Sequence, residues 1–162
     1  FLILGNGIHS VTVILSKHMK KLRKEKVWQV NEFFHNEFSH LLITASAAIM
    51  FFFFIILELN RPLIHPLSLV EIIIQVVCGV IIGIILGIGS TEGSIPKSMF
   101  YIFYILSLIV SILFIYNGFN FRLYPFSIFM ETVYIFAILT LSFYKYKIKG
   151  FPEMVGHIFF DE

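Results

Sequence analysis

Imidazole and carboxylate side chains recur near one end of several apolar segments of this sequence. His9 lies within the first apolar segment, Glu37 and His40 are three residues apart, and His157 and Asp161 are four apart. Residues three or four apart share one face of a helix. Nitrogen and oxygen ligands from several helices are typical of zinc sites in helical bundles. We therefore interpret these five residues as candidates for a Zn²⁺ site, which with a bound water can hydrolyse a substrate.

Two other interpretations of the polar residues stay open. His35, Glu37 and His40 could form only the polar beginning of a helix that continues into an apolar run. A second set of charged residues lies at the opposite end of the apolar segments, and it predicts either interfacial ion pairs or a path for protons or cations. This second set is Glu58, Glu71 and Glu131, with Arg61 and Arg122 nearby.

The composition shows what kind of protein must position these residues. Of 162 residues, 58% are hydrophobic and only 14% are charged. A soluble domain carries about 25% charged residues, so this chain has too little polar surface to be a water-soluble globule. The single Cys78 excludes an internal disulfide and a cysteine-rich metal site. No motif in the basic run 17–26 indicates nucleic-acid binding.

Five long apolar segments predict an all-α, polytopic membrane bundle that forms one domain over residues 1–162. Continuous apolar character over about 20 residues suits a spanning helix and excludes the alternating pattern of a membrane barrel. Within the third segment, Gly79, Gly83 and Gly87 recur every fourth residue and predict close packing against another helix. The predicted helices are 1–16, 38–57, 67–88, 98–116 and 126–144, and the tail 151–162 resembles the beginning of a sixth.

The distribution of Lys and Arg predicts the orientation. Alternate connections carry nearly all of these residues, and the positive-inside rule places such connections in the cytoplasm. The opposite side carries only Arg61 and Arg122. We therefore predict that 17–37, 89–97 and 145–162 are cytoplasmic in a multi-pass cell-membrane protein. The basic residues concerned are Lys17, Lys20, Lys21, Arg23, Lys24, Lys26, Lys97, Lys145, Lys147 and Lys149.

Three short stretches of the sequence combine His with acidic or Ser residues near the ends of apolar segments. They are Gly7-Ile8-His9-Ser10, Glu37-Phe38-Ser39-His40 and Gly156-His157-Ile158-Phe159-Phe160-Asp161. These stretches resemble motifs of the seven-helix superfamily of alkaline ceramidases, progestin and adipoQ receptors, and hemolysin III-like proteins. In that superfamily, helix two ends with a His, helix three opens with an acidic residue and a Ser, and helix seven carries a His-containing motif.

The resemblance implies a set of roles for these residues. His9 and His157 would bind zinc together with Asp161, which stands where the superfamily has a second His, and His40 would be an alternative ligand. Glu37, in place of the usual Asp, would orient the water or act as a general base. Ser10 or Ser39 would polarise the scissile carbonyl. The helix count implies that the sequence is a fragment running from helix two to the beginning of helix seven.

The function that follows from the resemblance is a zinc-dependent lipid amide hydrolase, or a receptor-like protein, with a site near the cytoplasmic face. Its partners would be the lipid bilayer and a lipid substrate. Two alternatives belong to other classes. A transporter or channel subunit would place Glu71 and Glu131 on one polar path, and a membrane assembly protein would have no site at all.

Overall fold

The computed structural model describes residues 1–91, 96–116, 118 and 120–147. These ranges contain helices and turns but no strand, so the prediction of an all-α fold is confirmed. Short 3₁₀ turns, Lys20–Leu22 and Phe121–Leu123, lie in two of the connections. The helices are α1 (Leu2–His18), α2 (Lys26–Asn60), α3 (Leu69–Gly89), α4 (Pro96–Tyr116) and α5 (Pro125–Lys147).

Helices α2 to α5 each contain a stretch long and apolar enough to cross a membrane. This is therefore an integral, multi-pass membrane protein, as the sequence predicts. Helix α1 has 17 residues and is shorter than these four, so length and hydropathy support four of the five predicted spans. The predicted helix beginning in 151–162 lies outside the described residues.

Helix α2 departs most from the sequence-based expectation, which placed a loop at 17–37 and a helix at 38–57. The structure has one continuous helix of 35 residues from Lys26 to Asn60, roughly 52 Å long. Its last part, His40–Asn60, has 21 residues and alone covers about 31 Å, the thickness of the hydrocarbon core. The part before His40 is therefore not needed to cross the hydrocarbon core.

The apolar core lies where α5 packs against α2 and α4. Tyr134 of α5 is fully buried, and its hydroxyl donates a hydrogen bond of 2.9 Å to the backbone oxygen of Ala48 on α2. Its ring stacks on the buried ring of Phe103 on α4, with centroids 6.1 Å apart. Satisfying this hydroxyl inside the bundle avoids the cost of a lone polar group in an apolar interior.

Helix α3 packs along α5 through the predicted glycine stripe. A Cβ at Gly83 would lie 2.6 Å from the backbone oxygen of Val133, and one at Gly87 would lie 2.6 Å from Cβ of Thr140. Gly79, Gly83 and Gly87 are all buried, although most large residues of α3 are exposed. Only glycine permits this approach of the two backbones, and the prediction of close helix packing is confirmed.

Candidate metal centre

The π-helical segment Phe33–Ser39 interrupts α2 at the edge of its apolar part. His35 and His40 lie five residues apart across this segment. In an α-helix of 3.6 residues per turn, such residues point about 140° away from each other. A π-helix is wound more widely, with hydrogen bonds between residues five apart, and it therefore brings the two imidazoles toward one face. Their ring centroids lie 6.3 Å apart.

Helix α1 contributes the third imidazole because Gly5 lets it approach α2 closely. A Cβ at Gly5 would lie 2.8 Å from Cγ1 of Ile43 and 3.3 Å from the backbone oxygen of Ser39. One turn later on α1, His9 faces the π segment. The ring centroid of His9 lies 4.8 Å from that of His35 and 4.8 Å from that of His40.

These three histidines form the histidine cluster, His9, His35 and His40. One ring nitrogen from each can be chosen so that all three lie within 4.8 Å of one another. All three side chains are half-buried, so the cluster is shielded by the protein and still open on one side. This donor set could hold a metal ion, and its nitrogen ligands suit zinc, copper, iron or nickel.

Ser39 orients the ring of His9. The hydroxyl of this fully buried serine donates to the backbone oxygen of His35, and a hydroxyl has only one proton to donate. In its contact of 3.3 Å with Nδ1 of His9, Ser39 therefore accepts the hydrogen bond. This assigns the proton of His9 to Nδ1 and leaves the lone pair of Nε2 for a metal, as outer partners of metal-binding histidines commonly do.

A buried polar network holds α1 against α2 one turn away from the histidine cluster. The amide nitrogen of Asn31 donates to the backbone oxygen of Thr12 at 3.3 Å and to the hydroxyl of Ser16 at 2.7 Å. The carboxylate of Glu32 accepts from Ser16 at 3.2 Å and from Asn36 at 2.9 Å. These contacts fix the helical part that precedes the π segment, and with it the position of His35.

The structure places the candidate residues of the sequence analysis at different distances from this cluster. His9 and His40 belong to it, and Ser39 contacts His9. Glu37 is half-buried on the π segment between His35 and His40. Ser10 is exposed, and its hydroxyl donates to the backbone oxygen of Asn6 on its own helix. His157 and Asp161 lie outside the described residues.

His35 is the member of the cluster that the sequence analysis did not name as a ligand. A spacing of five residues matches neither the three- nor the four-residue interval of an α-helical face. The pattern that could have drawn attention to it is the polar, aromatic-rich stretch 33–40, since π segments occur preferentially at functional sites.

No protein-family model, no curated protein and no solved structure matches this chain. The superfamily resemblance therefore stays a prediction, and the histidine cluster is interpreted from its own geometry.

Two of the three carboxylates of the second set, at the opposite end of the bundle, cap helices. Glu58, near the end of α2, accepts hydrogen bonds from the backbone nitrogens of Phe126 and Ser127 at 2.8 and 2.7 Å, and from the hydroxyl of Ser127. Glu71 forms a reciprocal capping box with Ser68 at the beginning of α3. Both carboxylates satisfy amides that every helix leaves unpaired in its first turn. Glu131, the third carboxylate of this set, instead lies inside α5.

Proposed function

We propose that this protein binds Zn²⁺ through His9, His35 and His40 at the edge of the membrane and hydrolyses a lipid substrate there. The single observation that carries the proposal is that one ring nitrogen from each of these imidazoles lies within 4.8 Å of the other two. Three imidazoles and an open fourth position are one of the ligand sets found in catalytic zinc sites. A zinc ion bound there would supply a water activated for attack at neutral pH.

The distances between nitrogen atoms in the histidine cluster are close to those that a zinc site requires. Two nitrogens bound to tetrahedral zinc at about 2.0–2.1 Å lie roughly 3.4 Å apart. The nitrogens of the cluster lie within 4.8 Å of one another, so small rotations of the imidazoles close the site. Ser39 already holds His9 with Nε2 available, and this arrangement reduces the reorganisation needed on binding.

The depth of the site favours a substrate that lies in the bilayer. The π segment directly precedes the 21-residue apolar part of α2, so the cluster lies where headgroups meet acyl chains. The bond that joins a headgroup to an acyl chain, such as the amide of a ceramide-like lipid, lies at this depth. The superfamily resemblance points to the same substrate class, and the predicted orientation would put the site on the cytoplasmic side.

Glu37 is the residue that we assign as the general base in this proposal. It lies on the π segment, two residues after His35 and three before His40, and is half-buried. A carboxylate beside a bound water can take the proton that the water loses during attack on a carbonyl. Under this assignment Glu37 is required for hydrolysis and dispensable for metal binding.

Metal analysis tests the first half of the proposal. The full-length protein is purified in lipid nanodiscs, dialysed against a low-affinity chelator and assayed for bound metals by mass spectrometry. We expect one zinc per chain, and we expect His35→Ala to lose it. His65→Ala is the matched control, because His65 is exposed in the connection between α2 and α3. A wild-type protein without metal, or a His35→Ala protein that keeps it, would refute the site.

Hydrolysis of a lipid panel tests the second half. The zinc-loaded protein is incubated with fluorescent N-acyl and O-acyl lipids, and the released fatty acid is quantified. We expect release from at least one amide lipid, and we expect Glu37→Gln to abolish that release while it keeps the zinc. A zinc-loaded wild type that cleaves no lipid in the panel would contradict the hydrolase function and leave only the metal site.

A further inference from the structure

Glu131 is a carboxylate in a part of the bundle where the described residues include no basic side chain. It lies six residues after Pro125, roughly 9 Å along α5 from the beginning of that helix. The sequence has no Lys, Arg or His at 98–121 or at 123–144, which leaves α4 and α5 without a cation near this depth. A carboxylate inside a membrane span is costly, and such residues commonly mark ion or proton sites.

Two serines of α4 reach across to this carboxylate. Ser107 and Ser111 lie one turn apart, and both hydroxyls donate to Oε1 of Glu131 at 2.8 Å. Hydroxyls elsewhere in the helices, such as those of Ser46 and Thr132, donate to a backbone oxygen four residues earlier in their own helix. Ser107 and Ser111 therefore give up this local bond for a contact between helices.

The second oxygen of Glu131 has no hydrogen-bond partner among the described residues. Oε2 is buried, whereas Oε1 takes both serine hydroxyls. A buried oxygen of a charged carboxylate without a donor or a cation costs several kcal/mol, on the order of the penalty for one desolvated ion. Among the described residues, Oε1 therefore has two hydrogen-bond donors, whereas Oε2 has neither a donor nor a positive charge beside it.

Among the residues that the structure describes, no other ionisable group around Glu131 supplies that charge. On α5, Tyr134 follows three residues later, and its hydroxyl is engaged by the backbone oxygen of Ala48 on α2. Glu58 of α2 caps α5, and Glu71 of α3 is exposed in its capping box. The tyrosines of α4 at 101, 104 and 116 are exposed, as is Cys78 on α3.

We propose that Glu131, Ser107 and Ser111 form an intramembrane site that binds an exchangeable monovalent cation, a proton or Na⁺, at the carboxylate of Glu131. The two hydroxyls hold the carboxylate in place on Oε1, and the cation neutralises it on Oε2. This inference is independent of the histidine cluster, which lies toward the other end of the spans. It assigns a ligand to the one carboxylate of the second set that caps no helix.

A hydrophobic carbodiimide tests the site. Dicyclohexylcarbodiimide partitions into membranes and reacts with carboxylic acids only in the protonated form, adding the mass of one reagent. The full-length protein in liposomes is treated at pH values between about 5 and 9, with and without Na⁺, and the labelled residue is mapped by mass spectrometry. We expect Glu131 to be labelled, at a rate that falls as pH rises.

The two cations give different results in the same assay. If the site takes Na⁺, added Na⁺ slows the labelling of Glu131 at least tenfold at fixed pH, whereas K⁺ does not; if it takes only a proton, the rate depends on pH alone. Ser107→Ala and Ser111→Ala should each change the pH at which labelling is half-maximal. Ser46→Ala is the matched control, since the hydroxyl of Ser46 donates to the backbone oxygen of Leu42 on its own helix. Labelling that is absent at every pH, or equal at every pH, would overturn the proposal.

Discussion

Polar side chains at the two ends of this bundle look alike in the sequence and have different partners in the structure. At the end next to the connection 61–68, carboxylates accept hydrogen bonds from backbone amides where helices begin. Glu58 of α2 accepts from the first turn of α5, and Glu71 accepts from Ser68 at the beginning of its own helix, α3. At the other end, beyond which lies the basic run 17–26, the imidazoles of His9, His35 and His40 face one another. In the first arrangement the carboxylate oxygens accept hydrogen bonds at helix termini. In the second, ring nitrogens of three histidines converge on a common point.

Proximity to a membrane boundary alone does not identify a functional residue. Glu58 is an ionisable residue near a membrane boundary, and its two oxygens are occupied by the first-turn amides and hydroxyl of α5. His9 is at a comparable boundary, and Ser39 orients its ring without occupying Nε2. The two cases differ in the atoms that could bind a ligand. Both oxygens of Glu58 already accept hydrogen bonds within the protein, whereas the contact of Ser39 with His9 leaves Nε2 available.

Zinc should act on the histidine end alone, and this is the largest effect that we expect. A ligand that binds only the folded protein stabilises it by about 4 kcal/mol when its free concentration is about 1,000 times its Kd. We therefore expect added Zn²⁺ to raise the unfolding temperature of the metal-free protein in nanodiscs. The measurement is thermal unfolding monitored by circular dichroism over a zinc titration.

The same titration on variants shows where the stabilisation arises. His9→Ala should remove it, whereas His18→Ala, an exposed residue in the last turn of α1, should keep it. If the superfamily's ligand set were the correct one, His157→Ala would remove the stabilisation and His35→Ala would not. That result would replace the histidine cluster with a site that includes the tail.

Removing Glu58 should break the opposite end of the bundle, with a somewhat smaller effect. Glu58→Ala leaves the amides of Phe126 and Ser127 without their charged acceptor, and we expect a loss of about 3 kcal/mol in the free energy of unfolding. Zinc affinity should stay unchanged, since Glu58 lies at the far end of α2. The measurement is chemical unfolding in mixed micelles, together with the zinc titration above.

Glu58→Gln should lose less, because an amide oxygen still accepts one of the hydrogen bonds. Equal losses for both variants would mean that the charge, and not the hydrogen bonds, stabilises α5. A Glu58→Ala protein with unchanged stability would show that the cap contributes nothing, and the contrast between the two ends would disappear.

The spans were predictable from sequence because membrane burial demands long apolar helices. The segment predicted at 98–116 corresponds to the helix Pro96–Tyr116, and the segment predicted at 126–144 corresponds to the helix Pro125–Lys147. Both helices begin with a proline, which suits the first turn because its missing N–H group has no partner there. The packing of α3 through Gly79, Gly83 and Gly87 was also predictable, since small residues every fourth position have one common use in membranes.

The candidate site was predictable only in part. His9 and His40 were candidates from their position, but His35 requires the π segment, which no α-helical periodicity reveals. The helix before it was missed because Asn31, Glu32 and Asn36 interrupt the apolar run. The residues of α1 that bond to Asn31 and Glu32 are distant in sequence. Gly5 belongs to no recognisable sequence pattern either, because its role appears only once α2 is packed against α1.

A larger side chain at Gly5, where α1 and α2 are in close contact, should push α1 away from the π segment. In Gly5→Val the new side chain meets Ile43 and the backbone of Ser39, and overpacking of this kind costs about 2 kcal/mol. Because α1 carries His9, we expect zinc affinity to fall by about 30-fold, the equivalent of that energy. Isothermal titration of the metal-free protein with zinc measures this affinity.

Gly7→Val is the matched control for the Gly5 substitution. Both positions are helical glycines on α1, so both substitutions change helix propensity equally, but a Cβ at Gly7 meets nothing within 4 Å. We expect Gly7→Val to bind zinc like the wild type. If both variants lost affinity, the close approach at Gly5 would not be what positions His9.

The smallest effect should come from the exposed cap of α3. Ser68→Ala removes the side chain that accepts from the backbone nitrogen of Glu71, and loss of such a cap costs about 1 kcal/mol. Zinc affinity and the labelling of Glu131 should both stay unchanged, because α3 supplies no residue to either site. Hydrogen exchange of the first turn of α3 is the measurement, and it should accelerate there alone. If exchange also accelerated in α5, the loss of the Ser68 cap would be transmitted across the α3–α5 interface through the glycine stripe. The caps formed by Glu58 and Glu71 would then belong to one cooperative unit and would not be independent of each other.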